Sequence, residues 1–105
     1  MSTFSLVKLT CYDQQESSGD EIYFKFSDNG AGGSGKSSVF TGMDTGDSRL
    51  INGSFSFSGS VKVTMYEDDT FSDDYIESIT LSSPGHQTAV FNEPGVTYVL
   101  DYFIA

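Results

Sequence analysis

Apolar and polar residues alternate with period two along most of this chain. Nowhere do apolar residues recur at i, i+3, i+4 and i+7 over the length a helix needs. Period two puts successive side chains on opposite faces of extended backbone, so the chain is committed to half-buried strands. Val7, Leu9 and Cys11 alternate with Lys8 and Thr10 in a strand predicted over residues 3–12, and Ile22, Phe24 and Phe26 alternate with Tyr23 and Lys25 in the next. Val61, Val63 and Met65 alternate with Lys62 and Thr64; Ile76, Ile79 and Leu81 then resume the pattern with one irregular step, the mark of a bulge.

Pro84-Gly85 ends that strand. Residues 87–91 and 96–104 form two more, separated by Asn92-Glu93-Pro94-Gly95, whose Pro-Gly pair has the chemistry of a tight turn. Shorter strands are predicted over 37–41 and 49–57, after a glycine-rich turn over 28–35. The expected fold is all-β, an antiparallel two-sheet sandwich of seven to eight strands. With 105 residues and 37% apolar content there is material for one core and not for two, so residues 1–105 are expected to make a single domain.

Fifteen acidic residues against five basic ones leave a formal charge of −10. Such a balance repels phosphate backbones, which excludes nucleic acid as a partner. Gly30-Ala31-Gly32-Gly33-Ser34-Gly35-Lys36-Ser37 matches the phosphate-cradling G-x-x-x-x-G-K-[ST] pattern in full. That chemistry requires a helix directly after the loop, because the helix N-terminus supplies the amides. Here Ser38-Val39-Phe40-Thr41-Gly42 follows, β-formers and a glycine, so nucleotide binding through Gly30–Ser37 stays a remote alternative.

Two carboxylate clusters carry more chemistry. One is Asp13-Gln14-Gln15-Glu16-Ser17-Ser18-Gly19-Asp20-Glu21, between the first two strands. The other is Glu67-Asp68-Asp69-Thr70-Phe71-Ser72-Asp73-Asp74, between two later ones, with five carboxylates in eight residues. Carboxylates so crowded repel one another, and calcium, which takes six to eight oxygen ligands, relieves the repulsion. A solvated acidic loop is the alternative.

Asp13, Asp20-Glu21-Ile22-Tyr23 opening a strand, and Glu67-Asp68-Asp69 with Asp74-Tyr75-Ile76 after Val63-Thr64-Met65-Tyr66 resemble the calcium loops of C2 domains, above all compact microbial C2-like modules. Glu67, Glu21 and Glu77 depart from that family's usual residues. The resemblance implies a sandwich whose first and third loops share calcium ions at one end, often to recruit the protein to membranes. It implies Asp13 and Asp20 as first-loop ligands, and Glu67, Asp69 and Asp73 or Asp74 as third-loop ligands. The family's phosphoinositide site is not implied, because Lys8, Lys25, Lys36, Arg49 and Lys62 are scattered along the chain. Asp73-Asp74-Tyr75-Ile76-Glu77-Ser78 also resembles the calcium motif of βγ-crystallins, which would imply a structural, calcium-stabilised protein; Glu77 breaks that motif and only one copy is present.

An enzyme is hard to assemble from this inventory. One Cys and one His cannot make a zinc site. His86 follows Pro84-Gly85 in an expected turn and is assigned no chemical role. Cys11 falls on an apolar strand position and reads as a small buried filler. Phe71, inside the acidic loop, is a candidate contact for a membrane or a sugar once calcium orders the loop. The N-terminus carries neither a basic nor an apolar leader region, which predicts a cytoplasmic protein, or one exported without a signal peptide; Asn52-Gly53-Ser54 matters as a glycosylation sequon only in a secreted chain. The expectation is a non-enzymatic calcium-binding module with Asp13, Asp20, Glu67, Asp69, Asp73 and Asp74 as metal ligands, facing a membrane, glycan or protein partner.

Overall fold

The computed structural model describes residues 1–14, 19–68 and 73–105. Alternation writes itself into ten strands: β1 (Ser2–Asp13), β2 (Asp20–Asp28), β3 (Ser34–Lys36), β4 (Phe40–Met43), β5 (Ser48–Leu50), β6 (Ser54–Phe57), β7 (Val61–Glu67), β8 (Asp74–Leu81), β9 (Gly85–Glu93) and β10 (Val96–Ile104). They form two antiparallel sheets. One runs β5-β1-β10-β9 with β6 also on β1; the other runs β3-β2-β7-β8 with β4 also on β2.

The long strands stand where the periodicity puts them, and the short ones differ. The expected strand over 49–57 is two, β5 and β6, which meet β1 at different stretches of its length. Between them Ile51 turns into the core and Gly53 takes a φ of 155°. The strand expected over 37–41 is displaced: β3 lies inside the glycine-rich stretch and ends at Lys36, residues 37–39 belong to no strand, and β4 begins only at Phe40 and runs on to Met43. The total therefore exceeds the seven to eight expected. His86 is not in a turn: it lies in β9, opposite Phe103.

Inward residues of the two sheets meet in one apolar layer. Phe4 packs on Phe26 with ring centroids 5.6 Å apart, and Phe24 meets Phe91 edge-on at 5.6 Å, so aromatic pairs join sheet to sheet. Each ring fully removed from water contributes about 2–3 kcal/mol. Cys11 is part of this layer, completely buried.

The irregular step in β8 is a bulge. Met65 faces Glu77 and Tyr66 faces Tyr75, leaving Ile76 as the extra residue. The extra residue lets Ile76 reach the core while Tyr75 stays 55% exposed. It also releases Glu77 toward the other sheet, where its Oε1 accepts a 2.8 Å hydrogen bond from the Asn92 amide of β9.

Antiparallel pairing decides which loops share a pole. Asp13 at the end of β1 faces Thr97 near the start of β10, Ile22 near the start of β2 faces Glu67 at the end of β7, and Glu67 faces Asp74 at the start of β8. Met43 faces Asp20, which adds the β4–β5 turn to the same end.

Candidate functional site

The two acidic loops thus leave the sandwich side by side, and backbone contacts tie them. Glu67 Oε2 accepts a 3.0 Å bond from the Glu21 amide, and the Asp68 amide donates to the Glu21 carbonyl at 2.7 Å. A third acidic turn joins them. The amide of Gln14 donates to Thr45 Oγ1 at 3.2 Å, its side chain bridges Asp44 Oδ1 and the Thr45 amide, and the Asp44 amide donates to Asp47 Oδ2.

The sequence-derived ligand candidates fall into three groups at this pole. Asp20 and Glu67 are fully buried at its base. Tyr98 donates its hydroxyl to Asp20 Oδ2 at 2.6 Å across the core, so Asp20 is held by the opposite sheet. Asp13 and Asp73 are exposed at the rim, and Asp74 is half-buried at the head of β8. Asp69 and Phe71 lie outside the described residues. Among the described residues no three Cys, His, Asp or Glu side chains are gathered at metal-holding spacing.

Crowding at the rim shifts the carboxyls there. A hydrogen bond with Asp73, then partial burial, then the negative charges of Asp73 and Glu21 push the Asp68 carboxyl above its ordinary value, and the Lys36 ammonium offsets this in part. The Asp68 and Asp73 carboxyls thus lie close enough for each to disfavour the charged form of its neighbour. Tyr23, pushed up by burial and by the same Asp73 charge, donates its hydroxyl to Asp73 Oδ2.

Tyr98 is also pushed up, by burial first and by Asp20 second; Cys11 is raised by burial, an effect its bond with Tyr98 lowers and the charges of Asp20, Asp47 and Asp13 reinforce. Cys11 is a buried thiol of the core, and His86 sits at the far pole beside Asp101. The donors at the acidic pole are oxygens, the chemistry of a hard divalent cation such as calcium.

Asp44, Asp47, Glu21 and Asp68 are members of this pole that sequence reasoning did not select. Asp44-Thr45-Gly46-Asp47 had a turn signal to offer. Tyr98 had none, since it reaches Asp20 across 78 positions of sequence.

The Gly30–Ser37 pattern is a hairpin. β2 turns back as β3, with Lys25 opposite Lys36, and β-structure follows in place of a helix. The amides of Gly30 and Ala31 donate to Asp28 Oδ1, at 2.8 and 3.1 Å, and the Ser58 amide to Oδ2 at 3.1 Å. A carboxylate of the chain itself occupies the cradle that a phosphate would need.

No protein-family profile and no curated protein sequence matches the chain. Solved structures do. A structure of a C2 domain superposes with a TM-score of 0.66 at 16% identity, covering 100% of this chain and 98% of that one. A structure of CC2D1B, described as coordinating ESRCT-III activity during the mitotic reformation of the nuclear envelope, gives 0.69 at 14% identity over 98% of this chain and 53% of that one. Human GIVD cytosolic phospholipase A2, in complex with methyl gamma-linolenyl fluorophosphonate, gives 0.68 at 16% identity over 98% of this chain and 16% of the enzyme. The chain has a C2-like fold.

Proposed function

We propose that this protein is a non-enzymatic calcium-binding module whose acidic pole, once charged with calcium, becomes a contact surface for a membrane, glycan or protein partner. One observation supports the reading most directly: acidic loops distant in sequence leave the sandwich together, tied by the Glu21 amide on Glu67 Oε2 and the Asp68 amide on the Glu21 carbonyl. Asp13, Asp20, Glu67, Asp73 and Asp74, with Asp69 beyond the described residues, are the proposed ligands. Bound calcium would take these carboxylates as oxygen ligands and cancel their mutual repulsion. A repulsive patch would become one able to engage a partner.

The test is a thermal melt in calcium, in magnesium and in chelator. At ten times its dissociation constant a ligand adds about 1.4 kcal/mol of stability, which raises the melting temperature of a domain this size by roughly 6 °C. Asp73→Asn with Asp74→Asn is expected to abolish that rise. A melting temperature that millimolar calcium leaves unchanged refutes the reading. Calcium-dependent sedimentation with vesicles or immobilised glycan then separates a partner-binding module from a purely structural calcium protein, which would show the rise alone.

A further inference from the structure

A sandwich of two open sheets has two edges to each sheet, and at every edge an unpaired row of backbone N–H and C=O groups invites another strand. Most of the edges here are blunted. β5 and β6 close one side of the first sheet and β3 and β4 one side of the second, as strands of only three or four residues. β8, on the other side of the second sheet, carries the bulge at Ile76 and the charges of Asp74 and Glu77. β9 has none of these devices. It runs for nine residues in unbroken register with β10, contains no proline, and is uncharged from Gln87 to Asn92.

The open groups follow from the ladder. In an antiparallel pair each residue turns its N–H and C=O either both toward the partner strand or both away, in alternation. The Asn92 amide points away from β10, to Glu77 Oε1 at 2.8 Å, so the backbone of Val90, Thr88 and His86 points away as well. Glu77 caps the edge at Asn92 and reaches no further. Among the described residues no strand lies on the outer side of β9, and the backbone of Thr88 and Val90 makes no backbone hydrogen bond there. Both side chains face solvent, Val90 with 48% of its surface exposed.

Charge selects the strand that fits. At −10 a second copy of this chain is repelled wherever acidic surfaces meet, and β9 is where they do not. The strand runs from His86 at the far pole to Glu93 at the acidic one. Two copies of β9 laid antiparallel about Ala89 set Thr88 of each against Val90 of the other, with their outward N–H and C=O groups in hydrogen-bonding position. Two β-branched side chains become cross-strand neighbours, and the small Ala89 stands at the closest approach. Glu93 of each copy falls opposite Gly85 of the other, so no carboxylate of β9 meets another. The acidic poles lie at opposite ends of the pair, as far apart as the molecule allows.

We propose that a second copy of this chain pairs on β9, antiparallel and two-fold symmetric, so that the β5-β1-β10-β9 sheet continues through its partner. The contact is separate from the calcium pole and forms in chelator.

The experiment is sedimentation equilibrium in chelator from micromolar to millimolar protein, with amide hydrogen exchange at the two extremes. A monomer that passes to a dimer and no further is expected, with the Thr88 and Val90 amides exchanging at least roughly tenfold more slowly in the dimer. Val90→Pro removes a donor that the β9–β10 ladder does not use. Each copy then loses a hydrogen bond across the contact, and the dissociation constant should rise roughly tenfold or more. Leu50→Lys, 80% exposed on β5 at the opposite edge of the same sheet, leaves the dimer unchanged. A chain still monomeric at millimolar concentration overturns the proposal, as does a dimer that Val90→Pro leaves intact. So does a dimer broken by Leu50→Lys, which would place the contact on the face of the sheet. Exchange at Thr88 and Val90 that ignores protein concentration also overturns it, and this measurement on the wild type decides the matter should Val90→Pro fail to fold.

Discussion

Tyr98→Phe removes one oxygen and leaves the ring in place, which isolates what the hydroxyl does. Tyr98 and Asp20 are both fully buried, and their 2.6 Å hydrogen bond joins β10 of one sheet to β2 of the other. A hydrogen bond to a buried carboxylate contributes about 1.5–3 kcal/mol, because its loss leaves charge in an apolar layer with one donor fewer. The expected cost is about 2 kcal/mol, or roughly 8–12 °C of melting temperature for a domain of this length. Tyr102→Phe is the matched control, since its ring is also buried and its hydroxyl makes no hydrogen bond among the described residues. Urea unfolding of both variants at neutral pH in chelator measures the difference. If Tyr98→Phe costs no more than Tyr102→Phe, the Asp20 carboxylate is not held by this bond and the account of the base of the acidic pole is wrong.

Gly30→Ala is expected to cost more than about 2 kcal/mol in the same assay, because its Cβ would stand 1.8 Å from the Ser58 carbonyl oxygen; Gly33→Ala, with open space around it, should stay within about 0.5 kcal/mol. Asp28 gives a pH signature. Burial alone would raise its carboxyl, but the amides of Ala31, Gly30 and Ser58 outweigh burial and hold it below its ordinary value. A lowered native value contributes stability that is present above the ordinary carboxylate pKa of about 3.9 and disappears as pH falls through the native one. The stability gap between wild type and Asp28→Asn should therefore narrow below about pH 4; a gap independent of pH refutes it. Millimolar magnesium-ATP is expected to leave the melting temperatures of wild type and Lys36→Ala unchanged, and a rise lost in Lys36→Ala would reinstate the phosphate-cradle reading.

The sandwich was legible because strand periodicity is local: β1, β2, β7 and β10 announce themselves in runs of Val, Ile, Phe and Leu on every second residue. The short strands were not, because β3 to β6 are three or four residues long and their bounds depend on which stretch of β1 or β2 each one meets. The bulge was visible as a slip in the spacing of Ile76 and Ile79. Its purpose was hidden, since Glu77 finds the Asn92 amide only after the sheets have packed. At the acidic pole the sequence supplied the carboxylates and the strand ends that carry them. It could not supply the division between a buried pair and an exposed rim, because that follows from tertiary partners such as Tyr98. The basic residues, scattered along the chain, are not scattered in space: cross-strand register sets Lys25 beside Lys36 and Lys62 opposite Ser27 on the same sheet, which spacing in sequence cannot show.

Gathering the carboxylates at one pole of a molecule 40 Å in its longest dimension also gives it a large electric moment. A body so polarised feels a torque in the field of any charged surface or ion cloud. It approaches a cationic object with its loops leading, before any contact has formed. Capture of a basic partner should therefore be fast at low ionic strength and slow steeply as salt is added, with the loss appearing in the association rate more than in the lifetime of the complex.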